Sequence, residues 1–341
     1  MVMNRWRRRV GAAFFACALA ASGAQAQDVY PAKSIEMIVA NTVGGGYDQY
    51  ARVVARHMGK HISGKPSIIV RNMPGAGGAR AANYLANVAA RDGSIIALFT
   101  REVALAPLLA PSPTAYQFKA EEFGWIGSPQ QDLGLMIVSA KAPATTLEAM
   151  KTRQVVMSGT GPGSGPSMFP LMLNEVLGTR FKVVPGYPGS QEALLAVENG
   201  EVDGHVSGGS SAAFRGRINP LVAQGQMHVL LQLGMTKDPA YPAPLVLDLV
   251  TDGRDRQLLE LAFTPQYLGR PLAAPPGLPA AVLQTLRTAF DATMKDPDFL
   301  AEAQAQQLDL NPVTGQEIAD ILRRVYQLPD DLIQRANSLG K

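Results

Sequence analysis

The 341-residue chain carries 31 Lys and Arg against 28 Asp and Glu, and 47% of its residues are hydrophobic. Arg5, Arg7, Arg8 and Arg9 crowd the N-terminus; the rest is close to neutral and lacks the basic surplus of a nucleic-acid binder. A charged fraction of 17% beside so much apolar residue excludes a disordered chain.

The basic start is followed by an apolar run, Val10 to Ser22, and by Ala24-Gln25-Ala26. This is the pattern of an export signal cleaved after Ala26, and it predicts a periplasmic protein. The run is too short to span a bilayer, and no later stretch is long enough either. The arginines also resemble a twin-arginine signal, with a weak surrounding pattern. Cys17 is the only cysteine and falls in the removed segment, so the mature chain has neither disulfide nor thiol chemistry. With about 315 residues left, an ordinary hydrophobic core and two lobes are expected.

From residue 35 strand-like and helix-like segments alternate. Ile35–Ala40 reads as a buried strand, Asp48–Ile62 as a helix, Ser67–Val70 as a strand, Gly78–Ala89 as a helix and Ser94–Thr100 as a strand. That order predicts a parallel sheet with helices on its faces. Residues 101–127 read as irregular. Leu133–Ser139, Val155–Ser158, Phe181–Val184, Val202–Val206 and Gln226–Leu233 read as strands of a second α/β lobe, with helices at Met168–Leu177 and Ser190–Asn199. Gln266–Leu272 looks strand-like, and helices follow at Pro279–Lys295, Ile318–Tyr326 and Asp331–Ser338. The chain is therefore expected to leave lobe 1 near Gly127 and return near Phe263, giving 27–127 plus 263–341 as lobe 1 and 128–262 as lobe 2. Two crossings make a hinge, and ligands of such folds bind at the carboxyl ends of the strands.

Two loops stand out at those ends. In Gly44-Gly45-Gly46-Tyr47-Asp48 an apolar strand runs into three glycines and then a helix. Main-chain N–H groups of Gly45, Gly46 and Tyr47 are left uncovered, and the helix start adds partial positive charge, so the loop can hold a carboxylate. Asp48 is expected to be the helix N-cap. Ser158-Gly159-Thr160-Gly161-Pro162-Gly163-Ser164-Gly165-Pro166 repeats the arrangement in the other lobe, with hydroxyls from Thr160 and Ser164. It lacks the lysine of a P-loop. Gly159, Thr160, Gly161, Gly163 and Ser164 are candidate ligand contacts, and the two loops together predict a clamp around a carboxylate.

Further candidates are Thr100 and Arg101 after the third strand. Arg101 could pair a carboxylate bidentately, with Glu102 adjacent to neutralise it. Tyr187 precedes a helix and could cover a ligand; Asp203 could order the cleft wall or accept a ligand hydrogen bond. Asn72-Met73-Pro74-Gly75-Ala76-Gly77-Gly78 is a further glycine turn. His57 and His61 share a helix face, without the Glu or third ligand of a zinc site. No nucleophile elbow occurs.

With these motifs in place, the chain resembles the extracytoplasmic solute receptors of tripartite tricarboxylate transporters, the Bug receptors. Besides both loops, the resemblance rests on Tyr30-Pro31-Ala32-Lys33, the Asn72–Gly78 turn, Asp92-Gly93, Tyr187-Pro188-Gly189, Gly200-Glu201-Val202-Asp203 and Ala274-Pro275-Pro276-Gly277-Leu278-Pro279. It implies an α/β, two-lobe periplasmic binding protein of the Venus-flytrap, type II-like kind, each lobe a mostly parallel sheet flanked by helices. It implies a non-enzymatic receptor that binds a small organic carboxylate through Gly44–Asp48 and Gly159–Ser164, partly through water. The transporter's membrane subunits are the implied partners. A monomer without cofactor, metal or nucleic acid is expected. Tyr47 stands where the family has a small residue, Phe169-Pro170 where a His-Leu pair is common, and Arg101 is unusual. An aromatic ligand or a dicarboxylate fits such a pocket. The alternatives are a receptor feeding a sensor kinase and a secreted hydrolase.

Overall fold

The computed structural model describes residues 30, 32, 34–109, 115–161, 164–208 and 212–339. The segment expected to be the signal, with Cys17, lies outside them, as does Gly163. The chain opens with β1 (Ser34–Val39), α1 (Gly46–Met58), β2 (Ser67–Asn72), α2 (Ala79–Asn87) and β3 (Ile95–Leu98). These follow the expected alternation. Then come α3 (Ala106–Leu109) and β4 (Gly124–Ser128), in a stretch the sequence reads as irregular. The next group is β5 (Gly134–Ser139), α4 (Leu147–Met150), β6 (Val155–Ser158), α5 (Gly165–Leu177), β7 (Phe181–Val184), α6 (Ser190–Asn199), β8 (Gly204–Gly208), α7 (Ala212–Ala223) and β9 (Met227–Leu233). The last is α8 (Gly253–Leu268), β10 (Leu272–Ala274), α9 (Ala280–Thr293), α10 (Pro297–Ala305), β11 (Val313–Thr314), α11 (Gly315–Val325) and α12 (Asp330–Leu339).

The strands form two sheets, ordered β11-β4-β10-β3-β1-β2 and β7-β6-β8-β5-β9. Both are mixed. In the first, β1 pairs in parallel with β2 and β3, whereas β10 runs antiparallel to β3 and β4. In the second, β6 pairs in parallel with β7 and β8, and β5 runs antiparallel to β8 and β9. In each sheet the first strand the chain lays down on arriving from the other, β5 or β10, runs antiparallel to both its neighbours, and β11 at the edge of the first sheet is antiparallel to β4 as well. The strands on either side of β5 or β10 point the same way, so their carboxyl ends share one edge.

β1 lies between β3 and the edge strand β2 and is covered on both faces, which explains its nearly continuous apolar run. α1 covers it with Tyr50, Ala51, Val53, Val54 and Met58. α11 shows the cleanest amphipathic spacing, burying Ile318, Ile321, Leu322 and Val325 behind a Thr314–Glu317 capping box. One hydrophobic cluster runs through both sheets, joining Phe99 and Trp125 to Met136, Val206 and the α8 residues Leu258, Leu261 and Phe263. Phe263 meets Phe169 of α5 edge to face, with ring centroids 5.1 Å apart.

Two expectations need correction. Gln266–Leu272 is not a strand: α8 runs unbroken to Leu268 despite Pro265, and strand geometry begins at Leu272. Pro265 removes one helical N–H but does not end the helix, because buried Phe263, Thr264 and Leu268 fix the segment by packing. The expected return near Phe263 thus falls inside a helix. β4 was hidden by its glycines, which have low strand propensity. A Cβ at Gly127 would lie 2.2 Å from the Phe290 ring, so the strand gives up a side chain to admit α9. Gly269 is under a similar constraint. It has φ +57°, and a Cβ there would sit 1.6 Å from the Gln130 carbonyl oxygen, where the two connections between the sheets touch.

Candidate functional site

The first loop leaves β1 at Val39 and enters α1 at Gly46. Gly44 has φ +83°, and Gly45 is the N-cap, with no side chain to cap the helix. Asp48 is therefore not the N-cap, contrary to expectation; it is the third residue of the helix. Its carboxylate turns back. Oδ2 accepts from the Gly44 amide and Arg52 Nε, each at 2.9 Å, and Oδ1 accepts from Asn72 Nδ2 at 2.9 Å. The Asn72 amide also donates to the Asn41 carbonyl at 2.9 Å, so the end of β2 is tied to the loop. Asp48 is buried. Burial alone would raise its pKa, but the hydrogen bonds from Arg52, Gly44 and Asn72 outweigh it and hold the carboxyl at about 2. The Gly44 N–H is thus used within the protein. The amides of Gly45, Gly46 and Tyr47 sit at the helix start, where no intrahelical acceptor exists.

The Tyr47 hydroxyl accepts from the Arg101 amide at 3.3 Å, joining the first loop to the end of β3. Arg101 does face the cleft, but in acidic company. Its Nε lies 3.0 Å from Glu102 Oε1 and its Nη1 3.4 Å from Asp132 Oδ2. Thr100 is buried beneath it, donating to the Gly77 carbonyl at 3.2 Å.

The second loop leaves β6 at Ser158 and enters α5 at Gly165. Ser164 is the N-cap, and Pro166 occupies the first turn. The Ser164 hydroxyl caps no helix amide; it turns into the loop and touches Ser167 Oγ of α5 at 3.2 Å. It donates to the Gly161 carbonyl at 2.7 Å and accepts from Thr160 Oγ1 at 3.0 Å and the Gly161 amide at 3.3 Å. The Gly159 amide donates to Val184 O at 2.8 Å and its carbonyl accepts from Tyr187 N at 3.2 Å, anchoring the loop to β7 and the segment beyond.

A cleft of about 400 Å³ lies between the two sheets, lined by Arg101, Glu102, Asp132, Thr160, Ser164, Gly165, Pro166, Met168, Phe169, Ser190, Val206, Ser207, Gly208, Ala262, Pro265 and Gln266. Of the expected residues it gathers Arg101, Thr160 and Ser164. Gly159 and Gly161 support the second loop. Gly44, Gly45, Gly46 and Tyr47 are not in the lining; they sit on the first-sheet side, joined to it through the Tyr47–Arg101 contact. Tyr187 packs instead on the apolar cluster beneath α6 and α7. Asp203 is at the wrong end of its strand for a ligand. Its carboxylate accepts the Val156 amide at 2.7 Å, and the cleft begins roughly 10–17 Å farther along β8, at Val206 to Gly208. It clamps β6 to β8.

Sequence reading missed Asp132, Gln266, Ser190 and Ser207 in the lining, and Arg270, which stands outside it beside the first loop. The Arg270 guanidinium lies 4.1 Å from the Tyr50 ring centroid and 5.5 Å from that of Tyr47. Only its place in Gly269-Arg270-Pro271, at the return to the first sheet, could have marked it. The histidines are absorbed elsewhere. His57 of α1 contacts Glu302 of α10 at 2.6 Å, and His61, in the turn after α1, contacts the α10 cap Asp296 at 2.7 Å. His205 Nδ1 is 2.9 Å from Ser158 Oγ, both fully buried. Burial pushes the imidazole down to about 4, so it is neutral at ordinary pH. Among the described residues no helix is long and apolar enough to cross a membrane.

Comparison with known proteins identifies the family and the fold. Residues 50–337 match the model of the tripartite tricarboxylate transporter family receptor, TctC. A TctC solute-binding protein from Polaromonas is similar in structure, with TM-score 0.72 and 21% identity, covering 90% of this chain and 99% of that one. Two Rhodopseudomonas palustris proteins share the fold at 20% identity. MatC, with bound malate, has TM-score 0.51 over 92% of this chain and 100% of its own. The other, with adipate, has TM-score 0.52 over 91% and 97%. The fold is that of a two-lobe periplasmic binding protein, and the chain belongs to the TctC family of solute-binding receptors, which are not enzymes.

Proposed function

We propose that the protein captures a small organic carboxylate in the cleft and presents it to the membrane subunits of a tripartite tricarboxylate transporter. The observation that carries this reading is one device built twice. In each sheet a strand ends in a glycine-rich loop whose main-chain donors lead into a helix start; the second loop lines the cleft, and the first stands on its first-sheet side, linked to the lining through the Tyr47–Arg101 contact. Malate in one relative and adipate in another make dicarboxylates the first class to test.

In this reading the connections around 129–133 and 269–271 act as the hinge. The lobes are 27–127 with the chain from 269 onward, and 128–268, which keeps α8 whole. Closure brings the Gly45–Tyr47 amides toward the Thr160–Ser164 loop, and the binding free energy is drawn from both lobes. The mature protein is a periplasmic monomer beginning at Gln27. N-terminal sequencing of the exported protein checks the cleavage site.

The test is a thermal-shift screen against mono-, di- and tricarboxylates and aromatic acids, each paired with its amide. A ligand that binds only the folded state raises the melting temperature. The acids should shift it and the amides should not. Equal shifts with acid and amide, or none with any acid, overturn the reading.

A further inference from the structure

Besides Arg52, which is committed to Asp48 and Asn72, two arginines stand near the first loop, Arg101 in the cleft lining and Arg270 outside it beside Gly46, and they differ in one respect. Arg101 already has two carboxylates, Glu102 and Asp132, within 3.4 Å, so the group around it carries more negative than positive charge. A carboxylate ligand meets local repulsion there and has to displace a formed pair. Arg270 forms no ion pair among the described residues, although Asp309 and Asp132 act on the Tyr50 ring it stacks on, and among those residues its buried Nε has no hydrogen-bond acceptor.

We propose that Arg270, rather than Arg101, is the cation that receives the ligand's carboxylate. This rests on the carboxylate-receptor reading above. The position is built, not incidental. The guanidinium stacks on the Tyr50 ring, 4.1 Å from its centroid, with Tyr47 at 5.5 Å. Such stacking uses the flat face of the cation and leaves its edge donors for a planar acceptor. Tyr50 is itself fixed, donating to the Asp309 carbonyl at 2.7 Å. The Arg270 amide donates to Ser128 Oγ at 3.0 Å, so the backbone is tied to the end of β4. Its Nη2 lies 3.8 Å from the point a Cβ on Gly46 would occupy, which sets the guanidinium beside the first-turn amides of α1. A carboxylate held here takes a charge-assisted bond from Arg270 and main-chain bonds from the Gly45 and Gly46 amides.

The placement also assigns Tyr47 a task. A small residue there would leave the guanidinium with one aromatic neighbour and the Arg101 amide without its acceptor. The bulky residue thus aims the cation instead of merely shrinking the pocket.

The experiment is calorimetric titration of the mature protein with malate, adipate and benzoate, comparing wild type with Arg270→Gln, Arg270→Lys and Arg101→Gln. Melting of each unliganded variant checks that it folds. Hydrogen bonds to charged groups predict that Arg270→Gln raises Kd about 10- to 100-fold. Arg270→Lys, which keeps the charge but not the planar fork, should recover part of that loss and decides the matter if the glutamine variant misfolds. Arg101→Gln should have a smaller effect than either. If the Arg270 variants bind within about threefold of wild type, or Arg101→Gln loses more, the inference is overturned while the receptor reading stands. If wild type binds none of the acids, the carboxylate reading fails and the inference falls with it.

Discussion

The two loops at the cleft share one sequence pattern, strand, glycines, helix, and are held by different chemistry. The first is braced by charge: a buried carboxylate, Asp48, gathers the Gly44 amide, Arg52 and Asn72. The second is braced by neutral hydroxyls centred on Ser164. A charged brace is strong, directional and sensitive to acid. A hydroxyl brace is weaker and does not titrate. The first loop is accordingly expected to respond to acid and the second not.

Removing the charged brace should have the largest effect. Asp48→Ala leaves Arg52 and Asn72 without their acceptor and is expected to cost about 2–3 kcal/mol of stability, by the usual worth of hydrogen bonds to charged groups. Denaturant unfolding measures it, and carboxylate affinity should fall as well. A loss below about 0.5 kcal/mol would mean the network is decorative.

Acid should reproduce that loss reversibly. The Asp48 carboxyl lies at about 2 when folded, against an ordinary value of 3.8. Its stabilisation is therefore complete above the ordinary value and disappears as pH falls through the folded one. The difference in unfolding free energy between wild type and Asp48→Asn should be constant near neutrality and shrink between about pH 4 and pH 2. A difference that persists at the acid end would assign the effect to something other than the charge.

The neutral brace should matter less. Ser164→Ala removes a hydroxyl that both donates and accepts, at a cost of about 1 kcal/mol that does not vary across the same acid range. Tyr47→Phe should be smallest for stability, about 0.5 kcal/mol, since it removes one long contact to the Arg101 amide and keeps the ring beside Arg270. Loss of carboxylate binding in that variant would show that the hydroxyl, not the ring, is what the site uses.

Much of the fold could be read from sequence where local signals agree. The bounds of β6, β7 and α6 match their expected ranges, because short valine-rich runs end in glycine or proline turns in the two strands and Gly189 and Gly200 bracket the helix. The signals failed where packing overrides propensity. β4 contains Gly124 and Gly127, placed for the α9 side chains Leu283 and Phe290; α8 carries an interior proline; α10 is a short helix behind an Asp296 cap. The two glycine loops were visible because a backbone anion site has a contiguous signature. Asp132 and Arg270 were not, since each acquires its role only when the two connections between the sheets are brought side by side. Asp48 stood out as a residue but not in its geometry: the cap position went to a glycine, and the carboxylate serves the loop from within the helix.

The most direct measurement of the central claim is an amide-resolved ¹H–¹⁵N NMR titration of the mature protein with malate or adipate. The account predicts that the amides of Gly45, Gly46 and Tyr47 shift together with those of Thr160, Gly161 and Ser164, along one saturation curve, because a single ligand bridges both loops. Shifts confined to one loop, or separate curves for the two, would contradict a two-sided carboxylate clamp.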